Sequence, residues 1–227
     1  MLFRSNPDNL LYEYERIFAS LTEQLASRLA TGPRTLTMGG GAFLFPVYLE
    51  RHFPGHHEVA EIDPDVVRVA RRYFDLPLDS AIVVHVADAR VVAAAMRGAA
   101  TYDAVYLDAF NSYSVPGHLT TLELAQNVRD LLEPAGLFAC NLIDVFEAGG
   151  FLAAYVRTVR EVFAEVAVYE TAGGARNVRN TFVVACANGG ELPEVLADRG
   201  GRLVASRVTT ADLDELLRLD PKGPRSI

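Results

Sequence analysis

Residues 34–61 read RTLTMGGGAFLFPVYLERHFPGHHEVAE, and the order of residue types in this stretch decides the fold. An apolar run leads into the glycines at 39–41, an amphipathic segment follows, and a second apolar run closes on Glu61. This order predicts a strand at 35–38, a glycine turn, a helix and a second strand at 58–61, which is the opening half of a nucleotide-binding βαβ unit. A tight turn beside a solvated acid is the alternative that the glycines alone leave open.

The glycine turn and the acid that follows it have complementary chemistry. Gly39, Gly40 and Gly41 have no side chains, so a ligand can approach the backbone N–H groups of the turn. Glu61 is predicted at the carboxyl end of the second strand, where open parallel sheets bind their ligands. A carboxylate at that point can accept hydrogen bonds from two ribose hydroxyls. The stretch therefore predicts a nucleoside-binding site.

Length, composition and charge limit the classes to which the protein can belong. With 227 residues, of which 50% are hydrophobic, the chain can bury the core of one α/β domain, although two small domains fit the same length. The net charge of -8 argues against a nucleic-acid partner, because a basic face supplies most of the affinity for phosphates. The same charge would attract a small cationic substrate, or it serves solubility alone.

The two cysteines and the hydropathy pattern indicate where the protein works. Cys140 and Cys186 both lie in apolar runs and are too few for a disulfide framework or a zinc cluster, so we expect two buried thiols and no metal. The first residues lack the basic and apolar regions of a secretory leader, and no apolar run is long enough to span a membrane. The sequence therefore predicts a cytoplasmic protein with no membrane partner.

Strand and helix patterns alternate along the rest of the chain. Apolar residues at helical spacing predict a first helix within 10–29 that packs on the sheet. Asp63 and Pro64 predict the start of the helix after the second strand, as N-cap and first helical residue. Further strands are predicted at 81–86, 102–107, 137–142, 166–169 and 181–186. The last two of them are predicted to form an antiparallel hairpin at the sheet edge.

These elements predict one α/β domain built in three parts. Residues 1–32 form an N-terminal helical segment that packs on the core, and residues 33–187 form the catalytic core. Residues 188–227 are a polar C-terminal extension of the same domain, with a weak helical pattern at 212–219. No chemistry is assigned to this extension.

Three acids follow the second, third and fourth predicted strands. Glu61, Asp88 and Asp108 each stand at a strand's carboxyl end, and right-handed crossovers bring those ends to one rim of the sheet. A helix cap is the alternative for any one of them, but three at this spacing favour a site. Glu61 would accept ribose hydroxyls and Asp88 the adenine amino hydrogens, while a nearby backbone N–H meets a ring nitrogen. The adjacent Ile62 and Ala89 complete the predicted cofactor-binding set.

Five motifs occur in a fixed order along the chain. They are Gly39-Gly-Gly41, Glu61-Ile-Asp-Pro-Asp65, Val84-His-Val-Ala-Asp-Ala89, Tyr102-Asp-Ala-Val-Tyr-Leu-Asp108 and Val115-Pro-Gly-His-Leu-Thr-Thr121. Together they resemble the spermidine synthase family of polyamine aminopropyltransferases, and more closely its short bacterial members that lack the usual N-terminal barrel. The resemblance covers roughly residues 10–187. It implies the Rossmann-like fold of S-adenosylmethionine-dependent methyltransferases, with seven strands, mostly parallel, and an antiparallel edge strand.

The same resemblance implies a transferase with an S-adenosyl sulfonium as cosubstrate, carboxylated or decarboxylated, and a small-molecule amine as acceptor. Asp108 would be the catalytic residue that accepts a hydrogen from the attacking amine. Exposing the lone pair of an aliphatic amine at pH 7 costs on the order of 4 kcal/mol, which this contact would help to offset. Asn111, Tyr113 and Tyr14 are the predicted substrate-binding residues, and Tyr12 is a further aromatic candidate beside a cation. Ordinary packing is the alternative for each tyrosine, and a homodimer is one assembly compatible with the resemblance.

The chain departs from the family pattern at two positions. Ala42 follows the glycine turn, where full spermidine synthases carry an acid near the amino end of the cosubstrate. Asn111 stands where those enzymes carry a second acid that contacts the polyamine. Replacing a carboxylate by an amide removes a charge-assisted contact commonly worth about 1.5 to 3 kcal/mol.

Three functions therefore remain open on the sequence. The first is transfer of an aminopropyl group from decarboxylated S-adenosylmethionine to putrescine or another di- or polyamine, a step of polyamine biosynthesis. The second is an S-adenosylmethionine-dependent methyltransferase with a different acceptor, and the third is a nucleoside-binding regulatory protein without turnover. His118 is interpreted as a residue of a loop or helix start, because no acid or nucleophile is placed to pair with it.

Overall fold

One sheet organises the part of the chain that the structure describes. The structure is a computed structural model, and it describes residues 10–74, 76–99, 101–111, 115–148, 150–171 and 176–219. Its strands are β1 (Arg34–Met38), β2 (His56–Glu61), β3 (Val83–Val86), β4 (Tyr102–Leu107), β5 (Leu132–Val145), β6 (Glu165–Thr171), β7 (Arg179–Ala187), β8 (Val195–Ala197) and β9 (Leu203–Arg207). Their order across the sheet is β3-β2-β1-β4-β5-β7-β6-β9-β8.

Helices cover both faces of this sheet. Within the described ranges they are α1 (Glu13–Ala26), α2 (Leu44–His52), α3 (Pro64–Tyr73), α4 (Ala89–Met96), α5 (Leu122–Leu131), α6 (Gly150–Arg160) and α7 (Thr210–Leu219), with a short 3₁₀ helix at Gly117–Leu119. Apolar residues of α4 to α7 pack on one face, and those of α1 and α2 pack on the other. None of the helices in the described chain combines the length and apolar composition that a membrane crossing requires.

The strand register sets the position of the site. Met38 at the end of β1 pairs with Ala60 on β2 and with Leu107 on β4, all in parallel strands. The residues that follow these strands therefore leave the sheet at one edge. Two backbone hydrogen bonds continue the pairing past the strand ends, from Gly39 N–H to the Ala60 carbonyl (2.8 Å) and from Asp108 N–H to the Met38 carbonyl (2.9 Å).

The start of α3 shows how local sequence fixes this edge. The Asp63 side chain accepts a hydrogen bond from the backbone N–H of Asp65 at 2.8 Å, and Pro64 is the first helical residue. This is the predicted cap, and it satisfies one of the backbone donors that a helix leaves free at its start. The chain therefore turns directly from the end of β2 into α3.

The predicted fold class is confirmed, whereas the predicted strand number and the position of the antiparallel strand are wrong. β7 is antiparallel, but it pairs with both β5 and β6 and so lies inside the sheet. The edge is formed by β8, which pairs with β9, and β9 in turn pairs with β6. These two strands have 3 and 5 residues, which is too short for their alternation to stand out in a polar segment. They are nevertheless anchored, because Leu196 and Ala205 are fully buried.

Candidate active site

A cavity of about 670 Å³ opens at the carboxyl edge of β1, β2 and β4. The predicted site residues that line it are Gly39, Gly40, Gly41, Glu61, Ile62, Asp88, Ala89, Asp108, Asn111 and Tyr14. Tyr12 and His118 line it as well, while Tyr113 lies outside the described residues. Acids from successive strand ends therefore share one cavity, and their roles toward a ligand stay predictions.

Gly39 shapes the turn between β1 and α2. Its φ is +99°, and a Cβ at this position would lie 2.5 Å from the Asp108 carbonyl oxygen. A side chain here would overlap backbone, so the turn requires glycine. Phe43 is the N-cap residue of α2. It has a left-handed φ of 58° and a fully buried ring. The glycine turn therefore packs against the backbone of Asp108, the residue that follows β4.

Glu61 holds the glycine turn from the side of β2. One carboxylate oxygen accepts hydrogen bonds from the N–H of Gly40 at 2.8 Å and of Gly41 at 3.4 Å, and the other accepts from the N–H of Asp63 at 2.9 Å. A carboxylate offers about four acceptor directions, so these contacts leave capacity for a ribose hydroxyl. Glu61 therefore has a structural role that the sequence did not indicate, in addition to its predicted role toward a ligand.

Asp88 is the N-cap residue of α4 and forms an ion pair with Arg90. Its side chain accepts from the backbone N–H of Arg90 at 2.9 Å and pairs with the Arg90 guanidinium at 3.0 Å. The hydrogen bond from the Arg90 side chain is the main cause that lowers the pKa of Asp88. Asp88 is thus a helix cap that also lines the cavity. Ile62, which also lines the cavity, is 66% exposed and offers an apolar surface suited to a flat base.

Asp108 lines the cavity and accepts hydrogen bonds from two uncharged donors. The Tyr14 hydroxyl donates to one carboxylate oxygen at 2.9 Å, and Nδ2 of Asn141 donates to the other at 3.0 Å. Burial raises the pKa of Asp108 to about 6, although the hydrogen bonds from Asn141 and Tyr14 oppose the rise. At neutral pH this carboxylate is mostly ionised and only weakly stabilised, which suits a group that accepts a proton from a cation.

Sequence reasoning missed Asn141, the amide that fixes Asp108. The residue lies within β5, and the pairing of Leu107 with Cys140 brings it beside the end of β4. Its Oδ1 atom is buried without a hydrogen-bond partner, so its side chain is oriented by Asp108 rather than by a network of its own. A polar amide within the apolar run 137–142 was the available signal.

Sequence reasoning also missed Glu15, which lines the cavity from α1. Its side chain is only 3% exposed. Burial, followed by the negative charge of Asp108, raises the pKa of Glu15 to about 7. The signal was its spacing, because Glu15 follows Leu11 by four residues and precedes Phe18 by three, and so lies on the apolar stripe of the helix.

Aromatic packing fastens α1 to the sheet. The rings of Phe18, Phe45 and Tyr106 contact one another, with centroids 4.9 to 5.3 Å apart. The Tyr106 hydroxyl and Thr22 Oγ1 form a buried hydrogen bond of 2.6 Å. Phe18 and Thr22 belong to α1, and Tyr106 belongs to β4, the strand that Asp108 follows. The reach of Tyr14 to Asp108 is therefore set by helix packing.

The order and direction of the strands define the fold. β7 runs antiparallel between β5 and β6, and the glycine turn and the acids after β2, β3 and β4 meet at one edge. This is the Rossmann-like fold of the S-adenosylmethionine-dependent methyltransferases. A solved structure of a probable spermidine synthase from Corynebacterium glutamicum matches it with a TM-score of 0.77 and 21% identity, and the match covers 98% of this chain and 84% of that chain.

Relatives in sequence extend the comparison beyond the fold. A polyamine aminopropyltransferase of Vibrio vulnificus is 35% identical over 135 residues, which is 58% of this chain and 44% of that protein. An eEF1A lysine and N-terminal methyltransferase of Xenopus laevis is 33% identical over 133 residues, 54% of this chain and 18% of that protein. The chain thus spans less than half the length of these relatives, and no family model matches it. The resemblance to the spermidine synthase family is confirmed.

Proposed function

We propose that the protein transfers an aminopropyl group from decarboxylated S-adenosylmethionine to a diamine or polyamine such as putrescine. The observation that carries the proposal is the surroundings of Asp108. Its carboxylate accepts hydrogen bonds from two uncharged donors, Tyr14 and Asn141. It lines the same cavity as the glycine turn and Glu61, the acid predicted to bind a ribose. A polyamine aminopropyltransferase among the relatives in sequence supports it.

The proposed cosubstrate would lie along the rim. The Glu61 carboxylate would hold the ribose through the acceptor capacity that its hydrogen bonds from Gly40, Gly41 and Asp63 leave free. Asp88 and the backbone N–H of Ala89 would contact the adenine edge, and Ile62 would cover its face. The sulfonium would then lie toward Asp108, which lines the same cavity.

The proposed reaction is a displacement at carbon. The lone pair of a primary amine attacks the aminopropyl carbon bonded to the sulfonium, so that a C–N bond forms and a C–S bond breaks. The electron pair of the broken bond goes to sulfur, which leaves as neutral methylthioadenosine. The amine nitrogen loses one proton, which Asp108 accepts and passes to solvent. The carboxylate also orients the nitrogen toward the carbon it attacks.

Incubation with decarboxylated S-adenosylmethionine and a panel of diamines, followed by mass spectrometry, tests the proposal. The expected product is a diamine heavier by one aminopropyl unit, formed together with methylthioadenosine. Absence of this product with every diamine would contradict the proposal.

A methyltransferase acting on an amine is the second candidate. A lysine and N-terminal methyltransferase is among the relatives in sequence, and its acceptors are amine nitrogens like those of a polyamine. Ala42, which lines the cavity after the glycine turn, places no charge near a cosubstrate that carries a carboxylate. Calorimetric titration with S-adenosylmethionine and with its decarboxylated form separates the candidates. We expect tighter binding of the decarboxylated form, and the opposite preference would favour methyl transfer.

Replacement of Glu61 by Gln tests the ribose contact. An amide offers only one acceptor oxygen in place of two, so the variant cannot keep the three backbone N–H contacts of Glu61 and also accept a ribose hydroxyl. We expect methylthioadenosine to bind about tenfold more weakly, equivalent to roughly 1.5 kcal/mol, as measured by calorimetry. Asp65→Asn is the matched control, because Asp65 is exposed and pairs only with Arg68 on the surface among the described contacts. Equal affinity in both variants would remove Glu61 from the ligand site.

Replacement of Tyr14 by Phe tests how the pKa of Asp108 is controlled. The Tyr14 hydroxyl hydrogen bond helps to lower this pKa, so its loss raises the pKa further. Because turnover requires ionised Asp108, the rate rises with pH through about 6 in the wild type, and we expect this rise to move to higher pH in the variant. The pH profile of the rate measures it. A uniform loss of rate at every pH would indicate that Tyr14 only supports the fold.

A further inference from the structure

The cavity is lined by acids. Five carboxylates face it, from Glu15, Glu61, Asp63, Asp88 and Asp108. None of the described lining residues is lysine or arginine. Such a cavity concentrates cations and repels anions. The five carboxylates differ, however, in how far hydrogen bonds and ion pairs within the protein offset their negative charge.

Three of these carboxylates are satisfied by the protein itself. Glu61 accepts three backbone N–H hydrogen bonds from the turn and from the residues after β2. Asp63 caps α3, and Asp88 pairs with the Arg90 guanidinium. These three carboxylates therefore stabilise the turn and the helix starts that line the cavity.

Glu15 and Asp108 lack this compensation. The donors to Asp108 are an uncharged hydroxyl and an uncharged amide. Glu15 accepts one hydrogen bond, from the Tyr12 N–H at 3.4 Å, and makes no ion pair with another described residue. Arg16, its neighbour in sequence, instead donates from Nε to the Leu10 carbonyl at 2.9 Å. A buried carboxylate, Glu15, and a partly buried one, Asp108, therefore face one cavity, and neither forms an ion pair with a described residue.

A bound cation would offset the negative charges of Glu15 and Asp108. Burying a carboxylate without a partner is costly, and a like charge nearby adds to the cost. The effect is visible in the pKa of Glu15, which burial and the charge of Asp108 raise to about 7. A ligand ammonium between or beside the two groups would restore balance.

An aromatic wall completes the surroundings of Glu15. The rings of Tyr12 and Tyr14 stack with centroids 5.8 Å apart, and both residues line the cavity. Aromatic rings attract alkylammonium ions through their electron-rich faces. The first turn of α1 thus presents both an acid and π surfaces to the cavity.

Glu15 is the third residue of α1 and forms a capping box with Tyr12, but such a box does not require a buried side chain. The hydrogen bond from the Tyr12 N–H is long for a cap, and a glutamate can make it while its side chain stays in water. The side chain of Glu15 is instead almost fully enclosed. A solvent-exposed cap would avoid the cost of burial.

We propose that Glu15 binds the protonated amine of a substrate, as the specificity residue for an alkylammonium group that does not react. The inference rests on the proposed function and adds a residue to it. Two sources of this group fit the chemistry: the ammonium of the aminopropyl chain on the cosubstrate, and the distal ammonium of a diamine acceptor. Asp108 remains the partner of the reacting nitrogen.

Calorimetry on Glu15→Gln tests the proposal with three ligands. They are methylthioadenosine, which has no amine, decarboxylated S-adenosylmethionine, and putrescine added to the methylthioadenosine complex. We expect binding of one of the two amine ligands to weaken about tenfold or more, while methylthioadenosine binding stays within about twofold. The ligand that is affected identifies the source of the ammonium. Glu13→Gln, an exposed acid on the same helix, is the control and should change nothing.

The outcomes separate this inference from the function beneath it. If Glu15→Gln binds all ligands like the wild type, or weakens methylthioadenosine equally, Glu15 is not an ammonium site. Failure of the wild type to bind either amine ligand also overturns the proposal. A third outcome is that the wild type binds the amine ligands without forming an aminopropylated product, while Glu15→Gln binds one of them more weakly. In that case the proposed function is wrong and the ammonium site stands.

Discussion

Replacing Asp108 by Asn is expected to abolish turnover while leaving nucleoside binding intact. The amide keeps the size of the carboxylate and can still accept a hydrogen bond from Nδ2 of Asn141, while the Tyr14 hydroxyl can rotate to accept one. It cannot take a proton from the attacking amine. Losing an offset on the order of 4 kcal/mol corresponds to a fall in kcat of about a thousandfold.

Single-turnover kinetics and calorimetry with methylthioadenosine measure the two effects separately. Asp130→Asn serves as the control, since Asp130 is an exposed acid that pairs with Arg97 and Arg129 away from the cavity. If nucleoside affinity fell together with the rate, Asp108 would be a binding or structural residue. If the rate survived, the proposed proton acceptor would be wrong.

Replacing Gly39 by Ala is expected to have the largest effect on stability. The new Cβ would lie 2.5 Å from the Asp108 carbonyl oxygen, and the φ of +99° is unfavourable for any residue with a side chain. Overlap with backbone cannot be relieved by rotating a side chain. We expect the free energy of unfolding to fall by about 3 kcal/mol or more.

Gly41→Ala provides a matched comparison within the same turn. Gly41 also has a positive φ, of +50°, but a Cβ there would meet nothing within 4 Å. We expect this variant to lose only about 1 kcal/mol, the usual cost of a left-handed residue. Urea denaturation of both variants measures the difference. Equal losses would show that the close approach to Asp108 does not determine the requirement for glycine.

The parts of the site that the sequence predicts are those set by short-range order. Glycines after β1 and the acids after β2, β3 and β4 each follow an apolar run, and parallel strands bring such ends together whatever the rest of the chain does. This is why Glu61, Asp88 and Asp108 line one cavity in the structure.

The parts that the sequence does not predict depend on packing between distant segments. Tyr14 and Asp108 are 94 residues apart, and Asn141 and Asp108 are 33 apart, so no local pattern relates them. Glu15 is at helical spacing, which places it on the buried stripe but does not say what that stripe faces. The two short strands after residue 188 acquire their structure by adding to β6, a partner that no local signal specifies.

The contact between α1 and β4 determines how small a working version of this protein can be. Phe18 and Thr22 fasten the helix to Tyr106, and the same helix delivers a hydroxyl to Asp108. A fragment starting at β1 would keep the glycine turn, Glu61, Asp88 and Asp108 but would lose the Tyr14 hydrogen bond to Asp108. It would also leave the aromatic surface of β4 bare to water, inviting self-association. On the proposed function, the shortest active fragment must therefore include α1, whereas the proposed nucleoside-binding residues all follow it in the chain.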